Sequence, residues 1–380
     1  MLSRVTVAGV RGLSPLELEV GALTALIGPR GSGKSQLLAS IAWLTGVESA
    51  PGGEQVSISA ELSTAEGSIR SIRRATGQPT EPNGDLAALP TTSFLRAQDR
   101  VTASQGPEGG SVAQALAEHL NGHMTTDAAA AEALVGAIED CCAGGVSGEL
   151  LLIEEPELML TPQAQRHLAN LLRMLAESGN QVIYSTRAPA FVDATHAEEI
   201  VRLDLYASGS VPRRTTPRSL TDEQRLRLAA EFDHERSEMF FARCVILAEG
   251  RTERFALPLI FRVLGHDLDA EGIAMVEVGG KANLPLVAGV LSDLRIPCLV
   301  VHDTDRGHDP RLDAAIEATV GPDRIIRLDP DFEAVTGIRH GDDKVLAAWR
   351  RFSRATPRDV PPPLRRMVEL AVALLPPAGG

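Results

Sequence analysis

The sequence contains few aromatic residues, cysteines and lysines, and it has no long apolar run. Phe, Trp and Tyr make up 3% of the chain, and the four cysteines form no Cys-x-x-Cys pair, so neither a zinc site nor a disulfide framework is indicated. No apolar run approaches the roughly 18 residues of a membrane helix. Arg4 and Arg11 interrupt the region where a signal peptide requires an apolar run. We therefore expect a cytoplasmic protein without a membrane partner.

A generally basic surface is also missing. The chain carries 37 Lys and Arg against 50 Asp and Glu, a formal net charge of −13, which excludes a uniformly basic nucleic-acid coat. Arginines nevertheless cluster at 213–218 and 350–366. Such clusters neutralise phosphates if nucleic acid is the partner, or balance the acids across ordinary solvated faces; the sequence leaves both open.

Strand and helix patterns divide the 380 residues into two α/β series, in line with a prior of two domains. Apolar runs at 23–27, 150–153 and 181–185 alternate with helical stretches and show no polar alternation, which is typical of a parallel sheet covered on both faces. A second series begins at residue 244. The predicted boundaries are a first domain at 1–206, a linker and connecting helix at 207–240, a smaller α/β domain with a mainly parallel sheet at 241–345, and an Arg- and Pro-rich helical tail at 346–380.

A phosphate-binding loop is predicted where the first apolar strand ends. The segment fits the P-loop pattern G-x-x-x-x-G-K-[ST] in full, follows a strand and opens a helix. Its glycines let consecutive backbone N–H groups turn toward phosphate oxygens at the positive end of the helix. Lys34 is expected to reach the β and γ phosphates of ATP, and Ser35 to ligate Mg²⁺. The predicted cofactor-binding residues of this loop are Gly28, Arg30, Gly31, Ser32, Gly33, Lys34 and Ser35.

The strand at 150–153 ends in two acids, Glu154 and Glu155. A P-loop requires a metal carboxylate and a water-orienting group from a neighbouring strand. Glu154 is therefore expected to hold Mg²⁺, directly or through water, and Glu155 to polarise the attacking water. The alternative is an ordinary solvated acidic turn.

Four further acids follow two strands of the second series. Glu249 and Glu253 are four residues apart in an E-G-x-T-E segment, and Asp303 and Asp305 follow the apolar strand at 298–302. Ligands of open parallel sheets lie beyond the carboxyl ends of the strands, so these acids are expected to converge. Converging carboxylates require a counter-charge, and hard oxygen ligands suit Mg²⁺ or Mn²⁺, which would activate water against a phosphodiester. Helix capping by the two aspartates is the alternative.

The order of P-loop, long insert, LLLIEEPE and a strand followed by a turn resembles ABC-type ATPases of the SMC and RecF kind. That family places a histidine that senses the γ-phosphate where this chain has Arg187, so the resemblance implies a phosphate contact from Arg187 and slow or altered hydrolysis. The family's signature loop, which caps ATP on the opposite protomer, has weak counterparts at 104–106 and 144–148. A homodimer or larger homo-oligomer through the ATPase domain is implied.

The E-G-x-T-E and D-x-D segments resemble a Toprim domain, and an ABC-type ATPase followed by Toprim is the order of the OLD (overcoming lysogenization defect) nucleases. The resemblance extends over residues 1–345. It implies that Glu249, Glu253, Asp303 and Asp305 ligate metal and that Glu249 also takes part in catalysis. It further implies a second metal at Glu333.

The same resemblance implies a lysine near the metals that offsets transition-state charge, with Lys344 preferred and Lys281 the alternative. The implied activity is that of an ATP-binding, divalent-metal-dependent DNA endonuclease or nickase, in phage defence or DNA repair, with a partner protein left open. A second hypothesis is an ATP-dependent DNA-binding clamp or regulatory protein whose Toprim domain is catalytically idle. Topoisomerase activity is disfavoured because both tyrosines, Tyr184 and Tyr206, fall in the ATPase half.

Overall fold

A computed structural model of the chain divides into two compact units. The first comprises Met1–Val192 and Glu198–Arg214, and the second comprises Asp193–Ala197 and Thr215–Gly380. The residues that the structure describes are 1–63, 69–77, 89–96, 102–103, 111–120, 127–206, 209–214, 221, 223, 226–227, 236–304, 310–339 and 343–376. Within these ranges, no helix combines the length and the apolar character needed to cross a bilayer.

The first unit contains two sheets and four helices in its described part. Its strands are β1 (Leu2–Val10), β2 (Leu16–Glu19), β3 (Leu23–Ile27), β4 (Gly53–Ser63), β5 (Ile69–Ala75), β6 (Thr92–Leu95), β7 (Thr102–Ala103), β8 (Leu150–Glu154), β9 (Gln181–Ser185), β10 (Ile200–Tyr206) and β11 (Gly209–Arg214). Its helices are α1 (Lys34–Leu44), α2 (Ser111–Leu120), α3 (Asp127–Ala143) and α4 (Pro162–Glu177). The smaller, antiparallel sheet has the order β2-β1-β4-β5.

The larger sheet has the order β11-β10-β3-β9-β8-β6-β7, and its five inner strands run parallel. Along β8, Leu150 and Leu152 pack with α1 and the antiparallel sheet, whereas Leu151 and Ile153 pack with α3 and α4. Apolar side chains are therefore required on both faces, which is why the strand shows no polar alternation. The predicted parallel sheet covered on both faces is confirmed.

The second unit is built on a four-stranded, wholly parallel sheet of order β13-β12-β14-β15. Its strands are β12 (Cys244–Ala248), β13 (Ile273–Glu277), β14 (Cys298–Asp303) and β15 (Ile325–Leu328). Its described helices are α5 (Arg251–Val263), α6 (Leu268–Glu271), α7 (Leu284–Asp293), α8 (Pro310–Val320), α9 (Phe332–Thr336), α10 (Lys344–Phe352) and α11 (Pro362–Ala373). Short 3₁₀ segments occur at Pro189–Phe191, Ala194–Glu199, Arg236–Phe241, Lys281–Asn283, Pro322–Arg324 and Pro357–Asp359.

The segment expected to be a linker is partly strand. Residues 209–214 form β11, which pairs antiparallel with β10 through registers such as Val201 with Arg214, so the first unit extends beyond residue 206. Ladder hydrogen bonds use only backbone groups and tolerate the polar composition that suggested a linker. The expected connecting helix, which starts near Thr221, lies largely outside the described residues.

The 346–380 segment contributes to the hydrophobic core of the second unit. Phe352 in α10 and Leu364, Met367 and Val368 in α11 are almost fully buried and pack in the same cluster as β12, β14 and α5. Apolar side chains at helical spacing thus bring these two helices onto one face of the sheet. The segment expected to be a helical tail therefore packs against the sheet of the second unit.

Replacing Phe352 should destabilise the second unit strongly. Phe352 is 1% exposed, whereas Trp349 on the same helix is 50% exposed. Phe352→Ala should lower the free energy of unfolding by about 3–5 kcal/mol because it leaves a cavity in a packed core. Trp349→Ala, the matched control, should cost far less. Urea unfolding followed by circular dichroism measures both, and equal losses would contradict this account of the packing.

Candidate nucleotide and phosphodiester sites

The P-loop lies between β3 and α1, at the carboxyl edge of the larger sheet. Gly28 has φ +137°, and a Cβ there would lie 2.3 Å from the carbonyl oxygen of Leu203 in β10, so only glycine fits. Gly33, the residue before α1, has φ +89°. The loop therefore lies close against the neighbouring strand. The predicted phosphate-binding loop from Gly28 to Ser35 has the preceding strand and the following helix that the motif requires.

Lys34 is 5% exposed, and its ammonium is held by the loop itself. Nζ donates to the carbonyl oxygens of Gly28 at 2.7 Å and Pro29 at 3.0 Å. Burial, helped by the nearby charge of Arg187, lowers the pKa of Lys34 from 10.5 to about 8. The charges of Glu155, Glu157 and Glu154, at the end of β8 and just after it, act in the opposite direction and raise it. The net result is an ammonium that loses its proton at a lower pH than an ordinary lysine does.

The acids of β8 reach the P-loop although β9 lies between the two strands. Glu154 pairs in register with Ser185 of β9, and its Oε1 accepts a hydrogen bond from the Ser35 hydroxyl. The two residues that the sequence assigns to Mg²⁺ are thus in direct contact. Both are oxygen donors, the ligand type that Mg²⁺ prefers.

Arg187 follows β9 and forms an ion pair with Glu155, with Nη2 2.7 Å from Oε1. Glu155 has φ +45°, and its backbone N–H donates to the Ser185 carbonyl at 2.9 Å. The expected water-polarising carboxylate and the expected phosphate-contacting arginine therefore neutralise each other here.

Glu157 orders the turn that carries Arg187, a role that sequence reasoning missed. Its carboxylate accepts hydrogen bonds from the Thr186 hydroxyl at 3.0 Å and the Arg187 backbone N–H at 2.7 Å. Burial raises the pKa of this carboxyl above its ordinary value. The third acid of the E-E-P-E run was the available signal, but its partners lie about 30 residues away in sequence and only the fold reveals them.

Of the two weak signature-loop counterparts, the structure describes the one at 144–148. Residues 104–106 lie outside the described residues. The loop at 144–148 precedes β8, and the N–H of Gly148 donates to the Gly179 carbonyl at 3.2 Å, just before β9. It therefore lies at the amino end of these strands, opposite to Glu154.

The second candidate site occupies the carboxyl edge of the parallel sheet in the second unit. Glu249 follows β12, and its Oε2 accepts a hydrogen bond from the backbone N–H of Asp303 at the end of β14, at 3.4 Å. Glu253, in the first turn of α5, is 6% exposed and lies against the glycine turn, where a Cβ on Gly250 would be 3.3 Å from its Oε2. Parallel pairing of β12 with β14 thus brings the two acidic segments together.

Glu333 joins Glu249, Glu253 and Asp303, and these four residues are called the acid cluster. Lys344 is the cation beside it. Glu333, in α9, is 3% exposed and forms an ion pair through Oε1 with Nζ of Lys344, the first residue of α10. This bond is the main reason that the pKa of Lys344 is raised, and the charges of Glu253 and Asp303 add to it. Burial, reinforced by the charges of Glu249 and Glu333, raises the pKa of Glu253.

A preformed metal centre is not seen among the described residues, where no group of three or more His, Cys, Asp or Glu side chains is arranged to hold an ion. Asp305, one of the expected ligands, lies outside the described ranges. The four acids converge, but one of them is paired with the Lys344 ammonium and another with backbone. Their donor chemistry fits a hard divalent cation, since four carboxylates near a single lysine carry excess negative charge.

Lys281 has a different environment from Lys344. Its Nζ donates to the carbonyl oxygen of Asp303 at 3.0 Å and pairs with Asp313 Oδ1 at 2.9 Å, and its side chain is 10% exposed. Next to it, His302 is fully buried, donates a hydrogen bond from Nδ1 to the Asp303 carbonyl oxygen at 2.8 Å, and has its pKa lowered by burial. Lys281 therefore holds the end of β14 in place, while Lys344 faces the acid cluster.

Two family models match the chain. Residues 240–305 match "Overcoming lysogenization defect protein-like, TOPRIM domain", which covers the strands that carry Glu249 and Asp303. Residues 131–193 match "AAA domain, putative AbiEii toxin, Type IV TA system", which covers β8, β9 and the Arg187 turn. The fold and these two edges define a P-loop ATPase domain followed by a Toprim-like α/β domain.

Relatives agree with this class. An OLD nuclease of Thermus scotoductus is 36% identical over 58% of this chain and 46% of its own length, and the Old nuclease of Escherichia phage P2 is 30% identical over 42% of this chain and 28% of its length. The C-terminal region of the Burkholderia pseudomallei OLD protein is 20% identical, with 36% of this chain covering 100% of it at a TM-score of 0.31. The two family-model matches and the two nucleases support an OLD-family ATPase–Toprim protein, as expected. The chain spans less than half the length of these two nucleases.

The two lysines should respond differently to substitution. Lys281 is 10% exposed and contacts both the Asp303 carbonyl and the Asp313 carboxylate, so Lys281→Met removes two contacts from a largely buried position and should lower the free energy of unfolding by about 3 kcal/mol. Lys344→Met removes a side chain that is 50% exposed and whose one described contact is the ion pair with Glu333, so the loss of stability should be smaller. Urea unfolding of both variants measures the order. A larger loss for Lys344→Met would contradict the structural role of Lys281.

Proposed function

We propose that the chain is an ATP-binding, divalent-metal-dependent DNA endonuclease or nickase of the OLD type. The observation that carries this proposal is the convergence of Glu249, Glu253, Asp303 and Glu333 around Lys344 at the edge of a Toprim-like sheet. The matches to OLD nucleases support nuclease chemistry, and the donor set supports the metal requirement.

In this proposal Mg²⁺ or Mn²⁺ supplies water activation and stabilisation of the leaving oxygen. Glu249, Glu253 and Asp303, with Asp305, would hold one ion, and Glu333 would serve a second. Lys344 offsets charge: its ammonium exchanges Glu333 for a phosphoryl oxygen of the scissile group. A raised pKa keeps that ammonium protonated at neutral pH.

ATP is proposed to bind the P-loop through Lys34, with Mg²⁺ held by Ser35 and Glu154. Direct contact between these last two residues supports that assignment. Arg187 would move from Glu155 to the nucleotide phosphates, which frees Glu155 to polarise water. Because arginine stays charged, this exchange is proposed to be slow, and ATP is proposed to regulate DNA cleavage rather than to drive it rapidly.

A DNA partner and self-association through the ATPase domain complete the proposal. The alternative is an ATP-dependent DNA-binding clamp with an idle Toprim domain. The ion pair between Lys344 and Glu333 and the lack of a ready three-ligand group in the described residues favour it. Cleavage of DNA distinguishes the two.

Asp303→Asn should abolish cleavage while leaving nucleotide binding intact. The change removes a ligand charge from the acid cluster, so metal-dependent nicking of supercoiled plasmid should fall by at least about a hundredfold. Plasmid relaxation on agarose gels with Mg²⁺ or Mn²⁺, with and without ATP, measures the rate.

Asp323→Asn is the matched control, because Asp323 is an exposed aspartate of the same unit, outside the cluster, and should retain wild-type activity. Wild-type cleavage by Asp303→Asn would remove the nuclease assignment. No cleavage by the wild-type protein under any of these conditions would favour the clamp.

Nucleotide binding should take up a proton above about pH 8. The free protein holds the pKa of Lys34 at about 8, and phosphate favours the ammonium, so affinity should fall as the pH rises through this value. Calorimetry of a non-hydrolysable ATP analogue in two buffers of different ionisation enthalpy measures the uptake. Lys34→Met should lose binding. Unchanged affinity in Lys34→Met, or no proton uptake, would contradict the phosphate cradle.

A further inference from the structure

An arginine-lined groove runs beside α10 in the second unit. It is open, has a volume of about 700 Å³, and is lined by Arg339, Arg350, Arg351 and Arg354 together with Asp343 and Asp359. All four arginines are exposed. Four guanidinium groups in one groove stand out in a chain whose net charge is −13.

These arginines are not used to balance neighbouring acids. Within the described ranges, none of the four makes an ion pair within salt-bridge distance, although Arg351 lies 5.6 Å from the Phe352 ring and feels the charge of Asp359. Other arginines of this chain, such as Arg173 with Glu199 and Arg327 with Glu317, are paired. The guanidinium donors of the groove are therefore available to an external anion.

The two aspartates of the groove are occupied by the backbone. Asp343 caps α10, since its Oδ1 accepts from the Leu346 N–H at 3.2 Å. Asp359 accepts from both the N–H and the hydroxyl of Thr356 at 2.7 Å, which lowers its pKa. Both carboxylates are therefore held by groups of the chain itself. With four arginines against two aspartates, the groove has an excess of positive charge.

Helix geometry connects the groove to the acid cluster. Lys344 and Arg351 are seven residues apart on α10, which places them on one face of the helix about 10 Å apart along its axis. One strand of duplex DNA carries a phosphate every 3.4 Å or so along its axis. A strand with its scissile phosphate at Lys344 would therefore present another phosphate near Arg351 about three nucleotides away.

We infer that this arginine-lined groove binds the DNA phosphate backbone next to the scissile phosphate. The inference rests on the proposed function, because it takes DNA as the substrate of the acid cluster. The groove sets where the strand lies, and its contacts are to phosphates rather than to bases, so it contributes affinity without sequence preference.

Salt-dependent binding tests the groove. The full chain is titrated, in EDTA so that no cleavage occurs, against a fluorescein-labelled duplex of about 20 bp, and anisotropy gives Kd over a range of salt. Arg350→Gln/Arg354→Gln should reduce the slope of log K against log salt by about 1.8, since each lost phosphate contact removes about 0.9. At about 0.1 M salt its Kd should rise about tenfold or more.

Two further variants make the result specific. Arg358→Gln/Arg366→Gln removes the same charge from two exposed arginines outside the groove and should leave the slope near that of the wild type. Arg350→Lys/Arg354→Lys keeps the charge and should restore most of the affinity, which excludes misfolding as the cause. Equal slopes for the groove variant and its control, or no DNA binding by the wild type, would overturn the inference.

Cleavage measurements separate this inference from the proposed function. If the wild type cleaves DNA, the groove variant should raise KM with little change in kcat, and an unchanged KM would overturn the groove alone. If the wild type binds with a groove-dependent slope but does not cleave with Mg²⁺ or Mn²⁺, the nuclease proposal fails while the groove is supported.

Discussion

Parallel strands end at one edge of a sheet, and in each unit of this chain that constraint assembles the charged side chains. In the first unit, β3 delivers Lys34 and β8 delivers Glu154 to the same edge although β9 lies between them. In the second, β12 and β14 place Glu249 against Asp303. No local sequence pattern brings these groups together; the direction of the strands does, and buried apolar residues on both faces of the larger sheet keep that direction.

Gathering acids at a strand edge costs free energy unless a cation is present, and both edges contain a lysine. Lys34 lies among the acids that follow β8, and Lys344 among Glu333, Glu253 and Asp303. Their pKa values shift in opposite directions because burial dominates at Lys34, whereas the hydrogen bond with Glu333 dominates at Lys344. The ammonium of Lys34 is therefore lost at a lower pH than that of Lys344.

The parts of the fold and of the site that depend on short stretches of sequence could be predicted. The P-loop and the strand-end acids follow from short motifs, and the central strands from their unbroken apolar runs. Tertiary relations were less accessible: the sequence left Lys281 open as the alternative to the preferred Lys344, and only the fold shows Lys281 holding the end of β14 and Lys344 facing the acids. Strand β11 was missed because its pairing uses backbone groups, which leave no mark in side-chain composition.

The ion pair between Arg187 and Glu155 has a counterpart at the other sheet edge, the ion pair between Lys344 and Glu333. At each edge a cationic side chain pairs with a carboxylate that the proposed chemistry requires: Arg187 with Glu155, and Lys344 with Glu333. Under the proposed function the competing ligand is in both cases a phosphate, of the nucleotide in one unit and of DNA in the other. A phosphate that draws the cation away would also free the carboxylate, so that substrate binding would itself activate the site. This exchange requires no movement of the sheets, because only side chains at the ends of rigid strands change partners.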